Sequence, residues 1–303
     1  MDPRFKGKIL VMGVGYVGSA VFVWFKEQGL EPLAFDPPKG LGTPEDLARA
    51  EIVFLCVPTP YDDARGGFDL SFVESAIAAL PGGKTVVIKS TVLPGTTDEM
   101  RAKHPQHVFM FNPEFLRQVS AHRDFIEPDR QIVGARAEDR TAAEEIMALL
   151  PDAPVKKIMA SKEAEMVKYF GNCFLATKVV FANQLYDLCA ATGISYDAVM
   201  EGAGADPRIG TGHLQVMHEG YRGYSGSCFP KDMRALIQLG DRVGAPLELL
   251  KTVERLNNET LAKNPPRAAV QGTQVQRDLA VAEDQSSAQD TAIAQEKARA
   301  SVS

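Results

Sequence analysis

The chain has 303 residues, enough for two modest cores, and an ordinary balance of 45% hydrophobic and 24% charged residues. A net charge of -6 and the lack of a basic stripe in the sequence argue against a nucleic-acid partner. The opening Met1-Asp2-Pro3-Arg4-Phe5-Lys6 holds no apolar signal core, and no run of about 18 apolar residues occurs, so a cytoplasmic protein with no membrane partner is expected.

In chain order, β-branched runs at residues 8–12, 31–35, 52–57, 85–89 and 108–111 predict strands with helical stretches between them. That alternation predicts βαβ units and an α/β, Rossmann-like doubly wound parallel sheet. Such sheets bind ligands at the carboxyl ends of their strands. The informative residues fall there. Gly13-Val14-Gly15-Tyr16-Val17-Gly18 follows the first strand and Asp36 the second; Val57-Pro58-Thr59-Pro60 closes the third, Ser90-Thr91 follows the fourth and Asn112-Pro113-Glu114 the fifth.

After Pro151-Asp152-Ala153-Pro154 and a short strand at 155–158, a long helix is expected over 161–192, with Ser161 as N-cap and Glu163 in its first turn. Phe170, Phe174, Val180, Phe181, Leu185 and Leu188 give it a wide apolar face, which fits a dimer contact or simple core burial. Further helices are expected at 196–201, 231–243 and 246–263. From Asn264 onward the chain has no aromatic residue and is expected to be a disordered or loosely helical tail. The expected domains are a cofactor-binding unit at 1–158, an all-helical dimerisation unit at 159–263 and the tail at 264–303.

The glycine turn sits between a strand and a helix, with Asp36 about 20 residues further on. Its glycines let the backbone approach a pyrophosphate, whose charge faces the helix N-terminus. Asp36 would accept ribose hydroxyls and repel the extra phosphate of NADP, so the expected cofactor is NAD. Lys168 and Asn172 share one helix face and could stabilise a developing alkoxide, or could be a solvated surface. Glu114 could take a proton if partial burial raised its pKa toward neutral, or could be an exposed turn glutamate.

The four cysteines and five histidines show no paired metal spacing, so neither a metal nor a disulfide framework is expected. Cys56, Cys173 and Cys189 lie in apolar patterns and read as buried small hydrophobes. Cys228 differs. In Gly226-Ser227-Cys228-Phe229-Pro230-Lys231-Asp232 it stands between a flexible turn and a helix start, where the helix N-terminus, Lys231 and Lys168 would favour its thiolate. Gly226 leaves the approach open for a substrate carbon, and Asp232 could position a water or hold Lys231. A nicotinamide cofactor with a nucleophilic cysteine suggests oxidation through a covalent thioester.

These segments, together with Ser90-Thr91-Val92, Pro94-Gly95-Thr96-Thr97 and Asn112-Pro113-Glu114-Phe115-Leu116-Arg117, occur in an order that resembles the UDP-glucose/GDP-mannose dehydrogenase family, most of all its UDP-glucose 6-dehydrogenase branch. The likeness runs from about residue 7 to residue 262. It implies a four-electron oxidation of a nucleotide sugar's C6 alcohol to a uronic acid with two NAD and one water, in nucleotide-sugar supply for polysaccharide biosynthesis. By the same resemblance Cys228 captures the aldehyde as a thiohemiacetal that becomes a thioester, and Glu114 assists hydrolysis. Lys168 and Asn172 would stabilise oxyanions, while Asp232 and Thr91 would order the water and proton path.

The resemblance assigns the glycine turn (Gly13, Val14, Gly15, Tyr16, Val17, Gly18), Asp36, Val57, Pro58, Thr59, Pro60, Ser90, Thr91, Gln118 and Lys231 to the cofactor. To the substrate it assigns Glu114, Phe115, Leu116, Arg117, Lys168, Asn172, Arg208, Tyr224, Gly226 and Cys228. It implies a homodimer through the central helices, across which Arg208 of Asp206-Pro207-Arg208-Ile209-Gly210 reaches the substrate.

Three departures stand out. Gln118-Val119 replaces an acidic residue and a glycine, and Ser225 replaces a glycine beside the sugar loop. The family's third, C-terminal α/β domain, which grips the nucleotide, has no likeness in the stretch after Asn264. The alternative expectation is therefore a truncated, weakly active or inactive NAD-binding dimerisation module that pairs with a full-length homologue. A 3-hydroxyacid-type dehydrogenase shares the glycine turn and the lysine/asparagine pair, but it needs no cysteine in this place.

Overall fold

The computed structural model describes residues 2–62, 67–218 and 220–264; the expected tail, apart from Asn264, lies outside them. Seven strands form one sheet in the order β2-β1-β3-β6-β7-β8-β9. They are β1 (Ile9–Met12), β2 (Leu33–Phe35), β3 (Ile52–Leu55), β6 (Thr85–Ile88), β7 (Val108–Phe111), β8 (Arg130–Gly134) and β9 (Val155–Met159). Two short strands, β4 (Tyr61–Asp62) and β5 (Gly67–Phe68), pair separately.

Helices α1 (Tyr16–Glu27), α2 (Pro44–Arg49), α3 (Ser71–Ala78), α4 (Thr96–Lys103), α5 (Ala121–Ile126) and α6 (Arg140–Leu149) connect the strands. Both sheet faces are covered, so alternate residues of each strand serve two cores. Ile9, Val11, Phe54 and Met110 pack with Val21 and Phe25 of α1 and Ile146 of α6. Leu10, Met12, Val53 and Phe109 pack with Val73 and Ile77 of α3 and Met100 of α4. This is the Rossmann-like arrangement expected, with one correction: the sheet is mixed. β8, which the sequence reading passes over, runs antiparallel to β7 through the Phe111–Gly134 pair. Its first two residues, Arg130 and Gln131, are polar, which leaves only a two-residue β-branched signal at Ile132 and Val133. The chain turning back there hangs residues 112–129 over the carboxyl edge of the sheet, where a ligand would sit.

Helix α7 (Ser161–Thr192) runs 32 residues and packs its first half on β7, β8 and α4. Its N-cap is Ala160, not Ser161; Glu163 in the first turn accepts the Ala160 N–H at 3.2 Å. Ser161 is instead buried near Arg101. The later turns carry α8 (Tyr196–Gly204), α9 (Phe229–Arg242) and α10 (Glu248–Lys263). Cys173, Val180, Met233 and Val253 form the core between α7, α9 and α10. This half is not wholly helical, because β10 (Met217–His218) and β11 (Tyr221–Arg222) form a small hairpin. Among the described residues no helix is long and apolar enough to cross a membrane.

Candidate active site

The glycine turn is built for backbone approach. Gly13 has φ +84°, and a Cβ on it would lie 2.8 Å from the Cys56 carbonyl, while one on Gly18 would overlap the Gly13 carbonyl. Gly15, the N-cap of α1, opens onto free space, so the helix N-terminus is accessible to an anion. Asp36 Oδ2 accepts the Val14 N–H at 2.8 Å, and Lys39 donates to the Val14 carbonyl. The turn and the carboxylate at the end of β2 are thus one unit, and this cradle fits a dinucleotide. Beside it, Ser90 Oγ donates to the Val57 carbonyl and Thr59 Oγ1 to the Thr91 carbonyl, both at 2.7 Å, which laces the ends of β3 and β6 together.

The other wall comes from α7. Its residues Glu165, Lys168 and Asn172 follow one stripe at i, i+3 and i+7. Buried Lys168 donates to Glu114 Oε1 at 2.6 Å, and Glu114 Oε2 accepts the Leu116 N–H at 2.9 Å. Asn172 Nδ2 donates to Asp232 Oδ2 at 2.6 Å, and Lys231 Nζ donates to Asp232 Oδ1 at the same distance. The Lys168/Asn172 pair is therefore not a solvated surface. Glu114 is buried and not an exposed turn glutamate, but the rise toward neutral that burial would bring does not occur. Burial alone would push its carboxyl up, but the charge and hydrogen bond of Lys168, the Leu116 N–H and Lys89 outweigh that, and it lies below its ordinary value.

Cys228 is the N-cap of α9. It shares a cavity of about 650 Å³ with Glu114, Phe115, Leu116, Arg117, Lys168 and Asn172. Lys231 and Lys168, expected to act on the thiol, are both committed to carboxylates. The contact closest in meaning is one that the sequence reading misses: Tyr16 Oη, from the glycine turn, lies 3.9 Å from Cys228 Sγ, with Ser227 Oγ at 3.8 Å. Burial, then the charges of Glu114 and Cys228, push the Tyr16 phenol up, so it stays a donor. No spacing rule connects residues 212 apart.

Glu165 is also missed. Fully buried, it accepts the Gly95 N–H at 2.5 Å, the Thr97 N–H at 2.8 Å and Thr97 Oγ1 at 2.6 Å, which ties α7 to the first turn of α4. Its signal lies in the stripe it shares with Lys168 and Asn172.

Several assigned residues stand elsewhere. Arg208 is exposed and held by Asp206 at 2.6 Å, away from the cavity lining. Tyr224 is buried in the helical core against Phe229, with its backbone held by Asn257. Gln118 starts a short 3-10 turn outside the cavity, and exposed Gly226 adopts φ +82° before the cysteine. Arg117 lines the cavity but is engaged by Asp124, whose carboxyl its hydrogen bonds hold down at about 2.

Comparison with known proteins places this geometry. The NAD binding domain model of the UDP-glucose/GDP-mannose dehydrogenase family matches residues 42–150, and that family's central domain model matches residues 162–259. The chain is 34% identical over 299 residues to a UDP-glucose 6-dehydrogenase of Rhizobium meliloti, covering 83% of this chain and 67% of that protein. It is 40% identical over 233 residues to a UDP-glucose 6-dehydrogenase of Pseudomonas aeruginosa, covering 70% of this chain and 49% of that one. A UDP-glucose dehydrogenase structure from Pyrobaculum islandicum superposes with TM-score 0.75 at 32% identity, over 86% of this chain and 70% of that one. The chain thus spans about half to two thirds of the length of these curated relatives. With both family models matched in order on one fold, the chain belongs to the UDP-glucose/GDP-mannose dehydrogenase family.

Proposed function

We propose that this chain oxidises the C6 alcohol of a nucleotide sugar, UDP-glucose first among them, to the uronic acid through a Cys228 thioester. The observation that carries the reading is the meeting of the dinucleotide turn and the thiol across one cavity, Tyr16 on Cys228, opposite the Lys168–Glu114 pair. NAD seated on the glycine turn supplies the hydride acceptor for both oxidations.

The residues have distinct tasks. Lys168, itself buried, and the partly buried Asn172 donate to the C6 oxygen as its charge develops. Once the aldehyde has formed, Cys228 sulfur bonds to its carbon, and the carbonyl electron pair becomes an oxyanion that takes a proton. This holds the aldehyde covalently and makes the second oxidation intramolecular. After that oxidation the carbon is a thioester. Water then adds to it as Glu114, ionised because of its lysines, takes the proton. The C–S bond breaks, and Tyr16 donates a hydrogen bond to the departing sulfur. One alcohol and one water give one acid, with two NADH.

The test is a panel of UDP- and GDP-sugars with NADH counted per sugar consumed. Two NADH per UDP-glucose and none with Cys228→Ser are expected; one per sugar, or unchanged turnover in the variant, overturns the reading.

A homodimer through α7 belongs to the same proposal. Phe170, Phe174, Phe181 and Leu188 are 73%, 58%, 58% and 59% exposed, a patch that a second copy would cover. That the exposed Arg208 lies away from its own chain's cavity fits a residue acting on a partner's site.

A further inference from the structure

Lys89 follows β6, on the floor of the cavity that holds Glu114, Lys168 and Cys228. It is only 3% exposed, and its Nζ donates to Asn112 Oδ1 at 2.5 Å and lies 5.4 Å from the centre of the Phe125 ring. Asn112 is fully buried too, and its Nδ2 donates to the Ile132 carbonyl of β8 at 2.7 Å. Lys89 thus anchors the turn that presents Glu114, from the strand beside it. No carboxylate lies in ion-pair contact with Lys89 among the described residues. The titratable groups facing it are the Cys56 thiol after β3, Glu114 after β7 and Lys168 from α7.

That arrangement has a charge consequence. Lys168 with Glu114 is one neutral pair, and Lys231 with Asp232 is another. Among these five side chains Lys89 leaves one positive charge in excess, while Arg117 with Asp124 and Arg123 with Glu127, at the cavity's outer wall, are paired with each other. A buried charge without an ionic partner costs stability, and clefts that retain such groups are where function uses them. The chemistry proposed above, on which this inference rests, places one new negative charge in the cavity at a time: a thiolate, then an oxyanion.

We propose that Lys89 is a positioning residue that holds the Asn112-Pro113-Glu114 turn and supplies the excess positive charge against which the Cys228 thiolate and the oxyanions form. It acts through the field of the cavity and through Asn112, not by touching the reacting atoms. Burial pushes its ammonium down to about 8, so the charge is present at neutral pH and is lost as the pH rises through that value.

The experiment compares Lys89→Gln, which keeps a donor for Asn112 without the charge, with Lys89→Arg, which keeps the charge. The first readout is the pH at which iodoacetamide alkylation of Cys228 reaches half its maximal rate, taken on folded protein without substrate, with Cys228→Ser as the blank. Lys89→Gln is expected to move that midpoint up by about one pH unit, and Lys89→Arg by less than half of that. The second readout is turnover: a fall of about tenfold or more in kcat for Lys89→Gln, with KM values nearly unchanged and recovery in Lys89→Arg. An unmoved midpoint in Lys89→Gln overturns the proposal, as does an equal shift in both variants. If the midpoint moves while even the unaltered chain makes no NADH from any nucleotide sugar, the reaction assigned above fails and the role of Lys89 stands.

Discussion

The two sides of α7 are built by opposite rules. One side carries Glu165, Lys168 and Asn172, polar groups turned inward, and each has a partner: Thr97 and Gly95, Glu114, and Asp232. The other carries Phe170, Phe174, Phe181 and Leu188, large apolar groups turned outward, with Phe170 and Phe174 stacked 6.5 Å apart. An isolated amphipathic helix would do the reverse. Buried polar groups are kept only where they are satisfied, so the inward side marks the site. Exposed apolar groups of this size call for a cover, and on the outward side the dimer proposed above would supply it. In the proposed dimer, one helix would join the chemistry of a chain to its assembly.

The largest expected effect comes from breaking the inward side at Lys168→Met. Glu114 would lose its contact cation while remaining buried, and the penalty for one orphaned partner of such a pair is about 3–5 kcal/mol. Turnover is expected to fall by about 10²–10³-fold, since a donor to the developing oxyanion is gone. The pH profile separates this from general damage. In the unaltered chain the Glu114 carboxyl lies below its ordinary value, so activity that needs it ionised persists as the pH falls and is lost only in that low range. Without Lys168 burial prevails, and the acid limb should move upward. An acid limb that stays in place would show that Glu114 is not the group titrating.

A smaller effect is expected on the outward side. Phe170→Asp with Phe174→Asp puts two charges on the exposed stack without removing any contact of the buried stripe. Light scattering should show a dimer become a monomer with its helical circular dichroism intact. If the unaltered chain is already a monomer at about 10 μM, below which a weak interface of this kind dissociates, the reading of that face is wrong.

How far the sequence reveals these two sides differs for a physical reason. The alternation of strands and helices, the glycine turn and the length of α7 follow from local patterns, and the expected bounds of α7 match the structure at both ends. The stripe Lys168 and Asn172 was legible from its spacing, yet its partners were not, because Glu114 and Asp232 arrive from the turn after β7 and from α9. The same holds for Tyr16 on Cys228 and for Lys89 on Asn112, pairs that only the closed sheet brings together. β8 stayed hidden because Arg130 and Gln131 mask its short apolar run. The apolar face left core burial and a dimer contact equally open; in the folded chain Val180 is buried and Phe181 exposed, a division that the apolar pattern does not draw.

The smallest effect sharpens the inward side further, at Glu165→Gln. Glu165 receives three hydrogen bonds, yet burial still pushes its carboxyl up from the ordinary value, so ionising it in the folded chain is a cost that the donors only partly offset. A carboxyl raised on folding adds stability below its unfolded pKa and loses it as the pH rises through the folded one. Glutamine has no such dependence, and its amide would set one donor against either the Gly95 N–H or the Thr97 pair. The variant should therefore be less stable by about 1–3 kcal/mol in urea unfolding. Its deficit should be largest near pH 4 and shrink toward pH 7, in the window opened by the raised carboxyl. A deficit that is constant across that range would mean that Glu165 folds with its charge unperturbed, and that donors at the first turn of α4, rather than burial, decide how the polar side of α7 is held.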